Sequence, residues 1–369
     1  MNPKKIVTVI GARPQFIKAS AVSAILRESD YLREVVVHTG QHFDTNMSDV
    51  FFSELGMEPP AYQCAVHGGL HGEMTGRMLV EIEKLLLAEK PDAVLVYGDT
   101  NSTLAGALAA VKLHIPVSHV EAGLRSFNLK SPEEVNRMLT DRVSRWLFTP
   151  NEGAGKHLAA EGAAAANIHQ VGDVMFDVAL RHGARVDQDG GVLGKLKETH
   201  GVRPGAYCLA TIHRAENTGH PAKLASIVEA LTNFAKDIKV VLPLHPRTRG
   251  ALAKQGKLEA LERALVLIEP QAYLAMVQLE KYAAIIATDS GGVQKEAFFY
   301  RVPCVTLRDE TEWGELVEAG WNRLAPPVDG VSVLQALNAS LGSRGDEVAP
   351  YGDGDAAQRI VKQLIGDLR

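Results

Sequence analysis

Short apolar runs rich in β-branched residues alternate with longer stretches of helical period along almost the whole chain. The runs are IVTVIG, EVVVHTG, AVLVYGD, IPVSHVEAG and WLFTP, then, after a gap, YCLATIH, KVVLPLH, AAIIATDS and VPCVTL. A strand that is hydrophobic throughout, rather than alternately, belongs in a parallel sheet covered on both faces, with the intervening helices as crossovers. Two sets of runs predict two doubly wound, Rossmann-like α/β domains. Between them, residues 184–206 (ARVDQDGGVLGKLKETHGVRPGA) are rich in glycine and charge, which places the boundary after residue 185. The stretch AAEGAAAAN reads as a helix end and loop. A last helical pattern, DAAQRIVKQLIGDL, follows the glycine-rich GDGD and could dock on either half.

Composition narrows the setting. The 369 residues exceed what one core usually holds, and 46% hydrophobic with 22% charged residues is ordinary globular usage. No apolar run is long enough to span a membrane. The opening MNPKKIVTVIGARP is basic and then apolar, as a signal peptide is. Arg13 interrupts the run too early and no small-residue cleavage site follows, so a cytoplasmic location is expected. A net charge of −5 argues against a broad nucleic-acid surface, so an anionic ligand must be held by local groups. Cys64, Cys208 and Cys304 are far apart and belong to no CxxC or Cys/His cluster, which makes them core residues rather than disulfide partners or zinc ligands.

The chemistry collects at the carboxyl ends of the predicted strands, where open α/β sheets bind ligands. Those ends carry Arg13, Gln41, His42, Asp99 and Glu121 in the first half. In the second they carry His213, Arg214, His245, Arg247, Asp289, Ser290 and Arg308. If the two halves face each other, all of these line one cleft.

Several motifs have both a structural and a functional reading. In TDSGGVQKEA a strand ends, Ser290-Gly291-Gly292 turns, and a helix begins. Free backbone N–H groups and the positive helix end then suit a phosphate, whereas a plain N-cap by Asp289 or Ser290 is the bland alternative. Glu296, beyond that loop, accepts from sugar hydroxyls or is merely solvated. GARPQFIK stands where a dinucleotide fold carries GxGxxG. The fingerprint is absent, so NAD is not expected there, and Arg13 and Lys18 bring positive charge instead. SPEE fits a capping box with Ser131 as N-cap, Pro132 at N1 and Glu134 reaching back. Glu133 then shares a stripe with Asn136, Arg137 and Thr140 that is expected to be solvated, opposite an apolar face of Val135, Met138, Leu139 and Val143. Asp99 either caps the following helix or acts on a ligand. Glu121 ends a buried strand and must be paired, Arg125 being a candidate, or poised for proton transfer. His213 with Arg214 and Glu216 in TIHRAEN needs three partners at one strand end, which favours a ligand over a core histidine. His245 in PLHPRT binds ligand or packs its loop.

Taken in order, GARPQFIK, TGQH, YGDTNST, HVEAGLRS, SPEEVNR, VGDVMFD, TIHRAEN, DSGGVQKEA and RDETEW resemble the non-hydrolysing UDP-N-acetylglucosamine 2-epimerases over nearly the whole chain. The resemblance implies two Rossmann-like domains in the glycosyltransferase-B arrangement, residues 1–185 and 186–354, with helix 355–369 crossing back to the first. It implies UDP bound mainly by the second domain and a homodimer; the residues themselves show no nicotinamide fingerprint and no metal-ligand set, so no cofactor and no metal are expected. Asp99, Glu121, Glu133 and His213 match the family's acids and bases. By resemblance Arg13 and Lys18 serve the active-site cleft, Ser290 and Gly291 the diphosphate and Glu296 the ribose, with His245 and Gly292 as further candidates to bind the UDP-sugar. Ala215, HPRTRG and Glu312-Trp313-Gly314 depart from many members. GARPQFIK, TIHRAEN and RDETEW look more like the branch acting on UDP-2,3-diacetamido-2,3-dideoxy-glucuronate for surface polysaccharides, and the loop QHFDTNMS differs from members activated by a second UDP-sugar.

Inversion at C2 by loss and re-addition of UDP needs a base, an acid on the opposite face and a stabiliser for the departing diphosphate. The carboxylates and an imidazolium at His213 supply these, and Arg125, Arg137 and Arg308 are candidates to meet a C6 carboxylate. A glycosyltransferase of the same fold, a hydrolysing epimerase and a nucleotide-sugar sensor remain the alternatives.

Overall fold

The computed structural model describes residues 3–41, 52 and 54–369; His42 and the following residues of QHFDTNMS lie outside them. By internal contacts the chain divides into two compact units, Met1–Val178 with Ala349–Arg369, and Ala179–Val348. The division falls within the helix Val174–Gly183.

The first unit holds strands β1 (Lys4–Ile10), β2 (Leu32–His38), β3 (Tyr62–Gln63), β4 (Ala93–Tyr97), β5 (Val117–Val120), β6 (Trp146–Thr149) and β7 (Ile168–Gln170). They form one sheet in the order β3-β2-β1-β4-β5-β6-β7, and every pair is parallel. All five residues of β4 are buried, as an uninterrupted AVLVY run requires when helices cover both faces. The order reverses between β1 and β4, so the turns after these two strands flank a switch point. The terminal helix Ala356–Leu368 belongs to this unit. Asp177 accepts from the Ala356 and Ala357 N–H groups at its start, and Asp367 near its end accepts from the Trp146 indole.

The second unit repeats the plan with β8 (Tyr207–Thr211), β9 (Lys239–Pro243), β10 (Val266–Ile268), β11 (Ile285–Thr288), β12 (Cys304–Thr306) and β13 (Asn322–Leu324). The order is β10-β9-β8-β11-β12-β13, again all parallel, with its reversal between β8 and β11. Cys208 and Cys304 are buried in its core and Cys64 is half-buried in the first unit; all three are free thiols.

Tight contacts fix the first switch point. A Cβ on Gly11 would lie 2.0 Å from Thr39 Oγ1 and 2.2 Å from Ser102 Oγ, so only glycine lets the turns after β1, β2 and β4 meet. Gln15 fastens the same place: its carbonyl accepts from the Gly11 and Ala12 N–H groups at 2.8 and 3.0 Å. Its amide donates to Tyr97 O and Thr103 Oγ1, both at 2.9 Å.

One helix reverses its expected orientation. In Pro132–Val143, Glu134, Asn136, Arg137, Thr140 and Asp141 are buried, while Val135 and Leu139 are 38% and 47% exposed. The polar stripe faces inward because its partners are there. Asn136 donates to Asp99 O, Arg137 to the Asp99 carboxylate, and Asp141 accepts from Gly123 N. The capping box does not form either. Glu134 turns back to accept from Ser126 N and Phe127 N, and these donors, with Arg137, hold its carboxyl below the usual range although burial alone would raise it.

Candidate active site

In the first unit the turns after β1, β4 and β5 bring four charged groups together. Lys18, one turn into the helix Arg13–Arg27, places Nζ 2.6 Å from Glu121 Oε2, and both side chains are nearly buried. The expected partner, Arg125, is elsewhere: its guanidinium binds Asp141 at 2.8 Å and Glu161 at 2.6 Å. A fully buried side chain so engaged is removed as a candidate for a C6 carboxylate. Lys18 is likewise no solvated helix residue, since Glu121 draws it inward.

Glu121 itself sits at φ +70, a left-handed conformation that costs a residue with a Cβ about 1–3 kcal/mol and recurs at ligand sites. Its N–H and that of Ala122 both donate to Phe148 O, which holds the bend.

Asp99 does not cap the next helix. Thr100 does, accepting from Thr103 N, which leaves the Asp99 carboxylate to pair with Arg137. Arg137 also binds Glu134 at 2.6 Å and is drawn to a more firmly held proton by Asp99, Glu121 and Glu134, against the opposing effect of burial. Gly98 precedes Asp99 at φ +62, and a Cβ there would come within 3.3 Å of Lys18 Nζ. Lys18, Arg137, Asp99 and Glu121 therefore form one cluster of alternating charge. Arg13 stands at the first turn of its helix, half-exposed. Glu133 stands apart from the cluster, exposed and accepting from the Ser131 hydroxyl at 2.7 Å.

In the second unit the turns after β8 and β11 meet at Asp289. This fully buried carboxylate accepts from His213 N, Arg214 N and Asn217 Nδ2 and lies 3.5 Å from His213 Nδ1. It stands beside the imidazole rather than capping a helix. Burial first, then His245, Arg214 and Arg247, push the His213 pKa below its usual value, with Asp289 opposing. The expected imidazolium is thus disfavoured until an anion balances those cations. His245 caps the helix Pro246–Lys254, its Nδ1 accepting from Arg247 N at 3.2 Å, and its ring centroid is 6.1 Å from that of His213.

Ser290 caps the helix Gly291–Phe299 through Val293 N, so the capping reading of the motif holds for Ser290. The first turn nonetheless stays open. Gly292 is exposed, and around Gly291 stand Arg214, Glu312 and Trp313, whose indole donates to Gly291 O at 3.0 Å. Trp313 also carries Lys295 over its ring at 4.3 Å. Arg308 makes a bidentate pair with Glu312 at 2.8 and 3.0 Å. Glu296 is buried, not solvated, beside Tyr273, whose phenol is pushed well above its usual range by burial and by the Glu296 charge.

The first unit thus sets two carboxylates beside cations, and the second sets a histidine near a glycine-started helix. Comparison with known proteins decides the family: the family model described as UDP-N-acetylglucosamine 2-epimerase matches residues 24–365. The chain belongs to that epimerase family. Relatives of the 2-epimerase family match it end to end. A Pseudomonas aeruginosa UDP-2,3-diacetamido-2,3-dideoxy-D-glucuronate 2-epimerase is 52% identical, covering 98% of this chain and 99% of its own. The UDP-GlcNAc 2-epimerase of Methanocaldococcus jannaschii, solved with UDP-GlcNAc and UDP, is 40% identical with a TM-score of 0.86, covering 99% of each chain. That of Neisseria meningitidis, bound to UDP-GlcNAc, is 32% identical with a TM-score of 0.87, covering 98% of this chain and all of its own.

Against this epimerase family, sequence reasoning passed over Asp289 as the neighbour of His213, Gln15 as the clamp of the first turn, and Arg137 as the partner of Asp99. Arg137 carried a signal, since it falls four residues after Glu133 on the stripe with Asn136. The partners of Asp289 lie more than 70 residues away, and Gln15 ties its local contacts at Gly11 and Ala12 to the distant Tyr97 and Thr103.

Proposed function

We propose that this epimerase inverts C2 of UDP-2,3-diacetamido-2,3-dideoxy-D-glucuronate by eliminating and re-adding UDP. The observation that carries the choice of sugar is the 52% identity to the Pseudomonas aeruginosa enzyme over 98% of the chain. In the forward half-reaction the C2–H and C1–O bonds break, a C1=C2 double bond forms and UDP departs. In the return half a proton reaches C2 from the other face and the diphosphate adds back to C1.

Two proton-transfer groups are needed, one on each face. We assign these to Glu121, whose charge Lys18 balances, and Asp99, whose charge Arg137 balances. His213, protonated once the diphosphate is present, donates to the β-phosphate. The open first turn at Ser290, Gly291 and Gly292, with Arg13 and His245, stabilises the negative charge. Glu296 takes the ribose. Arg308, in its bidentate pair with Glu312, is the candidate we keep for a C6 carboxylate. No helix among the described residues is long and apolar enough to cross a membrane. A cytoplasmic homodimer supplying surface-polysaccharide precursors is the setting we infer.

The test is incubation of the purified protein with the diacetamido uronate, and separately with UDP-GlcNAc, in deuterium oxide, followed by proton NMR. The manno epimer of the uronate is expected to accumulate with deuterium at C2, without any acceptor. Stoichiometric UDP plus free sugar identifies a hydrolysing enzyme instead, and turnover only with an added acceptor identifies a glycosyltransferase. Faster turnover of UDP-GlcNAc than of the uronate overturns the choice of sugar.

A further inference from the structure

The cluster of Asp99 and Glu121 rests on a second, deeper set of charges with no assigned role. His119, on β5, is fully buried. Its Nε2 lies 2.7 Å from Gly98 O and its Nδ1 2.6 Å from Asp141 Oδ1. A carbonyl only accepts, so Nε2 carries a proton. The other oxygen of Asp141 accepts the Gly123 N–H at 3.1 Å and Arg125 Nη1 at 2.8 Å. His119 and Arg125 keep that carboxyl below its usual range although burial works against them. Glu161, at the surface, closes the set by gripping Arg125 through Nε at 2.7 Å and Nη2 at 2.6 Å. Arg125 thus has a carboxylate on each side, which makes its burial tolerable.

The two anchor points matter. Gly98 immediately precedes Asp99, and Gly123 follows Glu121 by two residues. Both glycines are at positive φ, +62 and +82, so each turn is a bend that the backbone would not hold unaided. Gly98 N also donates to Val120 O at 3.0 Å, which makes the two strand ends one hydrogen-bonded unit.

We infer that His119 is a positioning residue that, through Asp141, locks the Gly98–Asp99 turn to the Glu121–Gly123 turn and so sets the spacing of the two carboxylates across C2. The inference rests on the assignment of Asp99 and Glu121 as the proton-transfer groups. It touches neither substrate nor reacting atoms.

Two measurements test it on the full-length protein. In a long-range nitrogen–proton NMR spectrum of the wild type, His119 Nε2, which faces Gly98 O, carries a proton. A pattern with Nε2 unprotonated overturns the inference, even if Asp141→Asn fails to fold. In Asp141→Asn and His119→Gln, kcat per folded molecule falls roughly 100-fold, the cost of misplacing a reacting group by about 1 Å, with KM nearly unchanged. The ratio of UDP released to epimer formed rises, because the second proton transfer no longer keeps pace with escape of the intermediate. An unchanged ratio, with activity lost only in proportion to folded protein, also overturns it. Failure of the underlying assignment is separable: Asp99→Asn and Glu121→Gln would then retain wild-type kcat whatever the His119 spectrum shows.

Discussion

Lys18 Nζ and Glu121 Oε2 lie 2.6 Å apart across the turns after β1 and β5, with both side chains almost out of water. The pair comes from positions 103 residues apart and replaces the nearby Arg125 that the local sequence offers. A buried carboxylate stays ionised only with such compensation. Lys18→Met therefore leaves Glu121 favouring its protonated form and useless as a base. Turnover is expected to fall about 100-fold or more, with C2 deuterium incorporation falling in parallel. Near-normal exchange at C2 in this variant would remove Glu121 from proton transfer.

The direction of the His213 shift sets a pH signature. In the free enzyme burial and neighbouring cations lower its pKa below the usual value near 6.5. A bound diphosphate reverses the charge balance and raises it. If the protonated form is the catalyst, kcat and kcat/KM both decline as pH rises. The kcat limb, which reports the complex, lies at higher pH than the kcat/KM limb, which reports the free enzyme. His213→Asn is expected to lower kcat roughly 100-fold and to abolish the limb. Coincident limbs in wild type would assign them to another group.

Arg137 holds Asp99 and Glu134 from the inward face of its helix. Arg137→Met strips both carboxylates of their cation, and one of them, Glu134, is fully buried. The expected cost is about 3–5 kcal/mol, measured by urea unfolding. On the outward face Leu139→Ser is expected to change stability by no more than about 0.5 kcal/mol. The reverse ranking would restore the orientation predicted from the apolar stripe.

Two buried histidines make both units sensitive to acid. Burial lowers His38 in the first unit and His182 in the second to about 4. Among the described residues His38 has no hydrogen-bond partner on either ring nitrogen, and it stacks on Phe16 at 4.9 Å. The unfolded chain takes up these protons near pH 6.5 and the folded units only near 4. Stability is thus full above 6.5 and lost as pH falls toward 4, by up to roughly 3 kcal/mol for each group. His38→Phe, which keeps the stack, is expected to flatten the acid limb of the first unit in chemical denaturation between pH 7 and 4. An unchanged limb would assign the sensitivity to other groups.

Much of the site was readable before any coordinates. Each run such as AVLVYGD or AAIIATDS announces its own strand, and in a parallel sheet the polar residue just past the run must emerge at the ligand-binding edge. Asp99, Glu121, His213 and Ser290 were placed at strand ends in this way, and each does follow its strand. Their partners were not. Nothing near Glu121 points to Lys18, nothing near His213 to Asp289, and the stripe on Pro132–Val143 pointed outward because an amphipathic pattern is read on the assumption that the polar face meets water.

By itself, then, the chain determined two parallel sheets, the strand ends that bear chemistry and the family likeness, because hydrophobic period and turn residues act over a few neighbours. Only the tertiary structure decided which charges are joined and that one helix turns its polar face inward. A polar side chain is buried or solvated according to whether distant strand ends present it with donors and acceptors, and that balance exists only once the sheet has brought those ends together.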